Sequence, residues 1–192
     1  MNHTSKTLAV TGRRPSALCG YRKEAYEQAV WDLKTLFTSY YEDGYRTFLT
    51  GGAQGIDQLA FWALANLRKR RSDIRLSVYV PFSDFGRQWA KTGLFSQAEF
   101  SLLCKTADNV HILVPERNLN KKDVISALFT RNAKMVEDAD TIVGFLNEDP
   151  FETSGGTAST MRLALRLGKQ VHQYGYTTKP NLQIDWRESP RF

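Results

Sequence analysis

Thr47-Phe-Leu-Thr-Gly51-Gly52-Ala-Gln-Gly55-Ile-Asp57-Gln-Leu-Ala-Phe-Trp-Ala-Leu-Ala65 carries a short apolar run into three glycines and then into a helical pattern. A strand that enters a helix through glycines can turn sharply and approach a ligand closely, while the helix start offers unpaired N–H groups and the positive end of its dipole to an anion. Tight strand-to-helix turns also need glycine for steric reasons alone. Two further segments repeat the design. Leu8-Ala-Val-Thr-Gly12-Arg13-Arg14-Pro15 ends a strand pattern in glycine followed by two guanidinium groups, and Ser154-Gly155-Gly156-Thr157-Ala158-Ser159-Thr160 follows a third strand pattern and opens a helix. Three such turns in one chain point to a common phosphate or nucleotide site, with an anion expected between Gly51–Gly55 and Gly155–Thr157.

Working outward, strand patterns at Thr7–Thr11, Arg46–Thr50, Arg75–Val80, Asn109–Leu113, Thr141–Phe145 and Gln170–Tyr174 alternate with helical ones. The strand cores are apolar on consecutive positions, which predicts strands covered on both faces and paired in parallel. Lys23–Asp43 places Tyr26, Val30, Leu33, Leu36, Phe37 and Tyr40 at helical spacing, and Gly44 follows as a C-terminal glycine. The other predicted helices are Ile56–Arg71, Ser96–Thr106, Lys121–Asp138 and Thr157–Leu167. Alternating strands and helices predict an α/β fold: a doubly wound, Rossmann-like, mostly parallel sheet flanked by helices. Ligands of such sheets sit beyond the carboxyl ends of the strands, where the strand order reverses. All three glycine turns lie at such ends. The 192 residues read as a single domain, with an irregular tail from about Thr177 that either packs on the body or lies loose.

Composition narrows the class. Lys and Arg number 26 against 20 Asp and Glu, a net charge of +6 that suits an anionic ligand or nucleic acid and also aids solubility. Cys19 and Cys104 are far apart and form no Cys-x-x-Cys pair, so a reduced, cytoplasmic setting is expected. No apolar run approaches the roughly 20 residues that span a bilayer, and no membrane partner is expected. The basic run Arg68-Lys-Arg-Arg71 reads first as a solvated helix end and second as a nucleic-acid contact.

Arg131 and Asn132 lie on a predicted helix that leads into Thr141–Phe145, so that a guanidinium and an amide can face a ligand's phosphate or base, or simply solvent. Pro81-Phe-Ser-Asp-Phe-Gly-Arg-Gln-Trp89 combines aromatic rings with Arg87. Such a loop either stacks on bases or forms a hydrophobic plug. His3, His111 and His172 are isolated, with no metal-ligand spacing. No nucleophile elbow, P-loop or Gly-x-Gly-x-x-Gly fingerprint occurs, which disfavours ordinary ATPase and dehydrogenase readings. No cofactor and no metal are called for.

In this order and over roughly residues 7–175, Thr-Gly12-Arg13, Thr-Gly51-Gly52-Ala-Gln-Gly55-Ile-Asp57, Arg131-Asn132-Ala-Lys-Met135 before Asp138-Ala-Asp140, and Ser154-Gly155-Gly156-Thr157 resemble the SLOG superfamily. That group joins the DNA-processing protein DprA with the LOG cytokinin-activating enzymes, and the chain looks most like its YpsA-like branch. The resemblance implies a Rossmann-like fold and a nucleotide-derived ligand. It assigns binding to Gly12, Arg13, Gly51, Gly52, Gly55, Asp57, Arg131, Asn132, Gly155, Gly156 and Thr157. LOG enzymes cleave an N-glycosidic bond with a Pro-Gly-Gly-x-Gly-Thr-x-Glu-type motif and an arginine. Arg131 matches the arginine, but Met161 and Arg162 stand where that pattern has its glutamates. A carboxylate stabilises the oxocarbenium-like transition state and an arginine opposes it. Hydrolysis would therefore need a relocated carboxylate, for which Asp57 and Glu99 are the candidates.

The leading expectation is thus a sensor or regulatory module that binds a nucleotide-derived small molecule, a nucleoside monophosphate or an ADP-ribose-like anion. The alternatives are a LOG-like phosphoribohydrolase with a relocated carboxylate and, less favoured, a DprA-like binder of single-stranded DNA. A homodimer through the apolar face of Ser96–Thr106 is compatible with the pattern, as is burial of that face in the core.

Overall fold

A computed structural model describes residues 5–116 and 118–187. Six parallel strands, β1 (Lys6–Gly12), β2 (Tyr45–Thr50), β3 (Arg75–Phe82), β4 (Asn109–Val114), β5 (Thr141–Phe145) and β6 (Gln170–Tyr174), form one sheet in the order β4-β3-β2-β1-β5-β6. The connecting helices are α1 (Glu27–Glu42), α2 (Ile56–Arg68), α3 (Gln97–Thr106), α4 (Lys121–Asp138) and α5 (Gly156–Arg166).

Consecutive apolar residues in the central strands are explained by two cores, one on each face. Leu8 and Val10 join Phe48, Val78 and the inner faces of α1 and α2, whereas Ala9 joins Leu49, Ile142, Met135 of α4 and Met161 of α5. Each strand therefore contributes alternate side chains to opposite layers. The edge strand β4 departs from the expected two-sided cover, with Val110 and Ile112 exposed.

Boundaries also differ locally. Lys23–Tyr26 is a separate 3-10 turn, so α1 begins at Glu27, and α2 ends at Arg68 rather than Arg71. The tail packs rather than lying loose: β7 (Tyr176–Thr177) and β8 (Gln183–Ile184) form an antiparallel pair. Leu182 is fully buried and donates its N–H to the Ala25 carbonyl, while Ile184 donates to the buried Asp32 carboxylate at 2.9 Å. Glu188–Phe192, including the second tail proline, lies outside the described residues, as does His3.

The strand order reverses beside β1, whose neighbours are β2 and β5. Gly12 pairs in register with Phe145, so the two chains leave the sheet side by side and then diverge to opposite layers. That divergence opens a crevice.

Candidate functional site

The crevice at this switch point is a cavity of about 260 Å³. The end of β1 supplies Gly12, Arg13 and Arg14; the start of α2 supplies Asp57; α4 supplies Arg131 and Asn132; the start of α5 supplies Gly155, Gly156 and Thr157. Gly51, Gly52 and Gly55 are not on its wall. From their turn, Ala53 reaches it instead.

Arg131 and Asp57 form the floor. The guanidinium Nη1 is 3.6 Å from Asp57 Oδ2, and the two side chains are 7% and 8% exposed. Arg131 reaches this depth because residue 51 has no side chain: a Cβ on Gly51 would fall on the guanidinium itself. Burial raises the pKa of Asp57, against the pull of Arg131, Arg14 and the N–H groups of Ala53 and Gly12. Burial lowers that of Arg131, but an arginine starts so high that it stays cationic. Arg131 Nε and Nη1 are buried with no hydrogen-bond partner in the protein. Buried donors of a charged group are expensive to leave unmade.

The two glycine-led helix starts differ in what meets them. At α2, Gly55 (φ 96°) puts its turn against β1, and the Ile56 N–H donates to the Arg13 carbonyl at 3.3 Å. A Cβ on Gly55 would strike that carbonyl. At α5, Gly155 (φ 112°) occupies the cap position and no side chain caps the helix. The first N–H groups of an α-helix have no partner within it, and of the residues at this start Gly155, Gly156 and Thr157 line the cavity. A Cβ on Gly155 would meet only Arg13 Nη1, at 3.6 Å, and one on Gly156 only Asn132 Nδ2, at 3.8 Å. Arg13 and Asn132 thus flank the open start of α5, giving a cradle of cationic, amide and backbone donors.

Several other segments have structural roles. Met161 is fully buried and packs beneath Gly144, while Arg162 donates to the carbonyls of Pro150 and Thr153, holding the loop before α5. Glu99 is not near the cavity. It serves the start of α3, with its N–H on the N-cap Ser96 Oγ and its carboxylate accepting from the N–H of Phe95, the residue before the cap, at 2.6 Å. The loop after β3 is a plug: Phe85 and Trp89 both pack edge-on against Phe100, with centroids 5.6 and 5.4 Å away. Arg68 pairs with Asp108 and Arg71 with Glu42, at the end of the sheet opposite the crevice. His111 stacks on Tyr79, and His172 Nδ1 shares a hydrogen bond of 2.5 Å with the Tyr40 hydroxyl.

Arg14, Ser16 and Glu148 belong to the site or its rim and were not singled out from sequence. Arg14 and Ser16 line the cavity. Glu148, in the loop after β5, pairs with Arg13 Nη2 at 3.0 Å, and Arg13 holds its carboxyl below the usual range. Arg14 carried a signal, as the second of two adjacent arginines after a strand-end glycine. Glu148 carried none beyond its acidic loop, because its partner is 135 residues away. Among the described residues no cluster of three or more His, Cys, Asp or Glu could hold a metal, and no helix is long and apolar enough to cross a membrane.

Fold and site together define a doubly wound α/β protein whose switch-point crevice is lined by arginines and by the glycine-led start of α5. Residues 8–177 match the family model YpsA (YspA SLOG family), and the chain belongs to that family. It is similar to the UPF0398 protein of Latilactobacillus sakei subsp. sakei (strain 23K), 33% identical over 86 residues that make up 44% of this chain and 46% of the relative. It also resembles the UPF0398 protein of Ligilactobacillus salivarius (strain UCC118), 27% identical over 105 residues, or 54% of this chain and 56% of that one. The chain thus spans about half the length of the curated relatives it matches.

Proposed function

We propose that the crevice binds the phosphoryl group of a nucleotide-derived small molecule, a nucleoside monophosphate or an ADP-ribose-like anion, and that the protein acts as a sensor or regulatory module. The observation that carries this reading is the buried Arg131 guanidinium on the cavity wall, which is ion-paired with Asp57 but makes no hydrogen bond through Nε or Nη1. Arg13, Asn132 and the uncapped start of α5 support it, since each adds donors to the same space. A phosphoryl group takes several such donors at once. Calorimetric titration with adenosine monophosphate, ADP-ribose, adenosine and inorganic phosphate tests it. The phosphorylated ligands should bind and adenosine should not. Arg13→Ala should weaken binding by about one to two orders of magnitude, the worth of a charge-assisted contact of roughly 1.5–3 kcal/mol. Unchanged affinity in that variant would remove Arg13 from the site.

A second reading, a phosphoribohydrolase, is favoured by one observation: Asp57 brings a carboxylate to the cavity where the LOG motif's own is missing. Its Coulombic partners are arginines, however, and these oppose a cationic transition state. Long incubations with adenosine monophosphate, followed by chromatography for free adenine, decide between the readings. Binding without release is expected. Turnover on the order of 1 s⁻¹, lost in Asp57→Asn, would make the protein a hydrolase.

A further inference from the structure

Arg13 is the one cavity cation that is already engaged at the rim. Its Nη2 is bonded to Glu148, its Nε is buried without a partner, and its Nη1 lies 3.6 Å from where a side chain on Gly155 would begin. The guanidinium therefore stands between a carboxylate and the open start of α5, with the Tyr176 hydroxyl also bonded to it. The backbone around that carboxylate is fixed, and the N–H groups of Asn147 and of Glu148 itself also bond the carboxylate. Gln173 Nε2 donates to the Glu148 carbonyl at 3.0 Å, and the Asn147 amide bonds Tyr176 through both its N–H and its carbonyl. The Glu148 side chain itself is 54% exposed.

We propose that Glu148 is an internal counter-ion that occupies Arg13 until the phosphoryl group of a ligand displaces it, making Glu148 a residue that sets the selectivity of the crevice for strongly anionic ligands. The proposal rests on the reading of the crevice as a phosphoryl site. One guanidinium cannot give its fork fully to two anions. A dianionic phosphoryl group gains Arg13, Asn132 and the dipole of α5 together, while the half-exposed Glu148 carboxylate gives up one ion pair and keeps the N–H groups of Asn147 and Glu148. A weaker or neutral group gains too little to displace it, so the pair filters ligands by charge.

The experiment is calorimetric titration of adenosine monophosphate and adenosine into the parent protein, Glu148→Gln, Glu148→Ala, Arg13→Ala and the Arg13→Ala/Glu148→Gln double variant. Both Glu148 variants should bind the nucleotide roughly two- to fivefold tighter than the parent, the range of one exposed ion pair, with no gain for adenosine. In the Arg13→Ala background that gain should vanish. Equal or weaker nucleotide binding by the Glu148 variants would overturn the proposal, because Glu148 would then be a ligand contact or a support of the site. A gain that persists without Arg13 would also overturn it, showing only a general charge effect. If the nucleotide binds none of these proteins, the phosphoryl reading of the crevice itself fails.

Discussion

The turn at Gly51–Gly55 and the turn at Gly155–Thr157 look alike as sequence, each a glycine pair or triplet leading from a strand into a helix. In the fold they are filled differently. The first is packed solid: Arg131 lies over Gly51, Phe100 and Val78 close on Gly52, and the Arg13 carbonyl meets Gly55 and accepts the first N–H of α2. The second opens on the cavity, with only Arg13 and Asn132 near its glycines. A glycine turn thus has two uses. In one it lets other groups come close; in the other it leaves backbone donors for a ligand. The first turn serves the crevice indirectly, by making room for the Arg131 guanidinium.

The largest expected effect comes from attacking the packed turn. Gly55→Ala adds left-handed strain of roughly 1–2 kcal/mol and a clash with the Arg13 carbonyl worth about 1–3 kcal/mol. Denaturant unfolding should show a loss of about 2–5 kcal/mol. A variant as stable as the parent would break the comparison on its packed side.

Gly156→Ala attacks the open turn. The added methyl would stand in ordinary contact with Asn132 and within the helix, where alanine is favoured over glycine by up to about 1 kcal/mol. Stability should hold or rise slightly, while affinity for adenosine monophosphate should fall by about tenfold as the phosphoryl group is pushed from the backbone donors. Unchanged affinity would mean that the start of α5 contributes no donors to the ligand.

Legibility in the sequence follows the range of the interactions. The six strands and the order of the helices were readable from runs of consecutive apolar residues, a local signal that burial on two faces explains in the central strands. The exposure of β4 was not, since its sequence is as apolar as that of a covered strand while its position at the edge is topological. Arg13, Asp57, Arg131, Asn132 and Gly155–Thr157 were singled out by type and spacing, and the structure brings them to one cavity. The use of Gly51 was not legible, because what fills its place comes from α4, far along the chain. The same distance hid Glu148 on Arg13 and Ile184 on Asp32.

The smallest effect is a test by exclusion. Burial lowers the pKa of His172, which is hydrogen-bonded to the Tyr40 hydroxyl between β6 and α1, away from both turns. A histidine with a depressed folded pKa stabilises the fold while neutral. That contribution is present above about pH 6.5 and is lost as pH falls through the folded value. Thermal melts from pH 7 to 5 should therefore show a modest decline that flattens in His172→Gln, with no change in the difference between Gly55→Ala and Gly156→Ala. A decline that persists in His172→Gln would assign the acid sensitivity to another group.

The most direct measurement is a crystal structure of the protein with bound adenosine monophosphate. The phosphoryl group should lie against the N–H groups of Gly156 and Thr157, within hydrogen-bonding distance of Arg13 and facing Arg131, with Glu148 turned away from Arg13. A phosphoryl group seated on Gly51–Gly55, or outside the crevice with Arg131 still making no hydrogen bond through Nε or Nη1, would contradict the account.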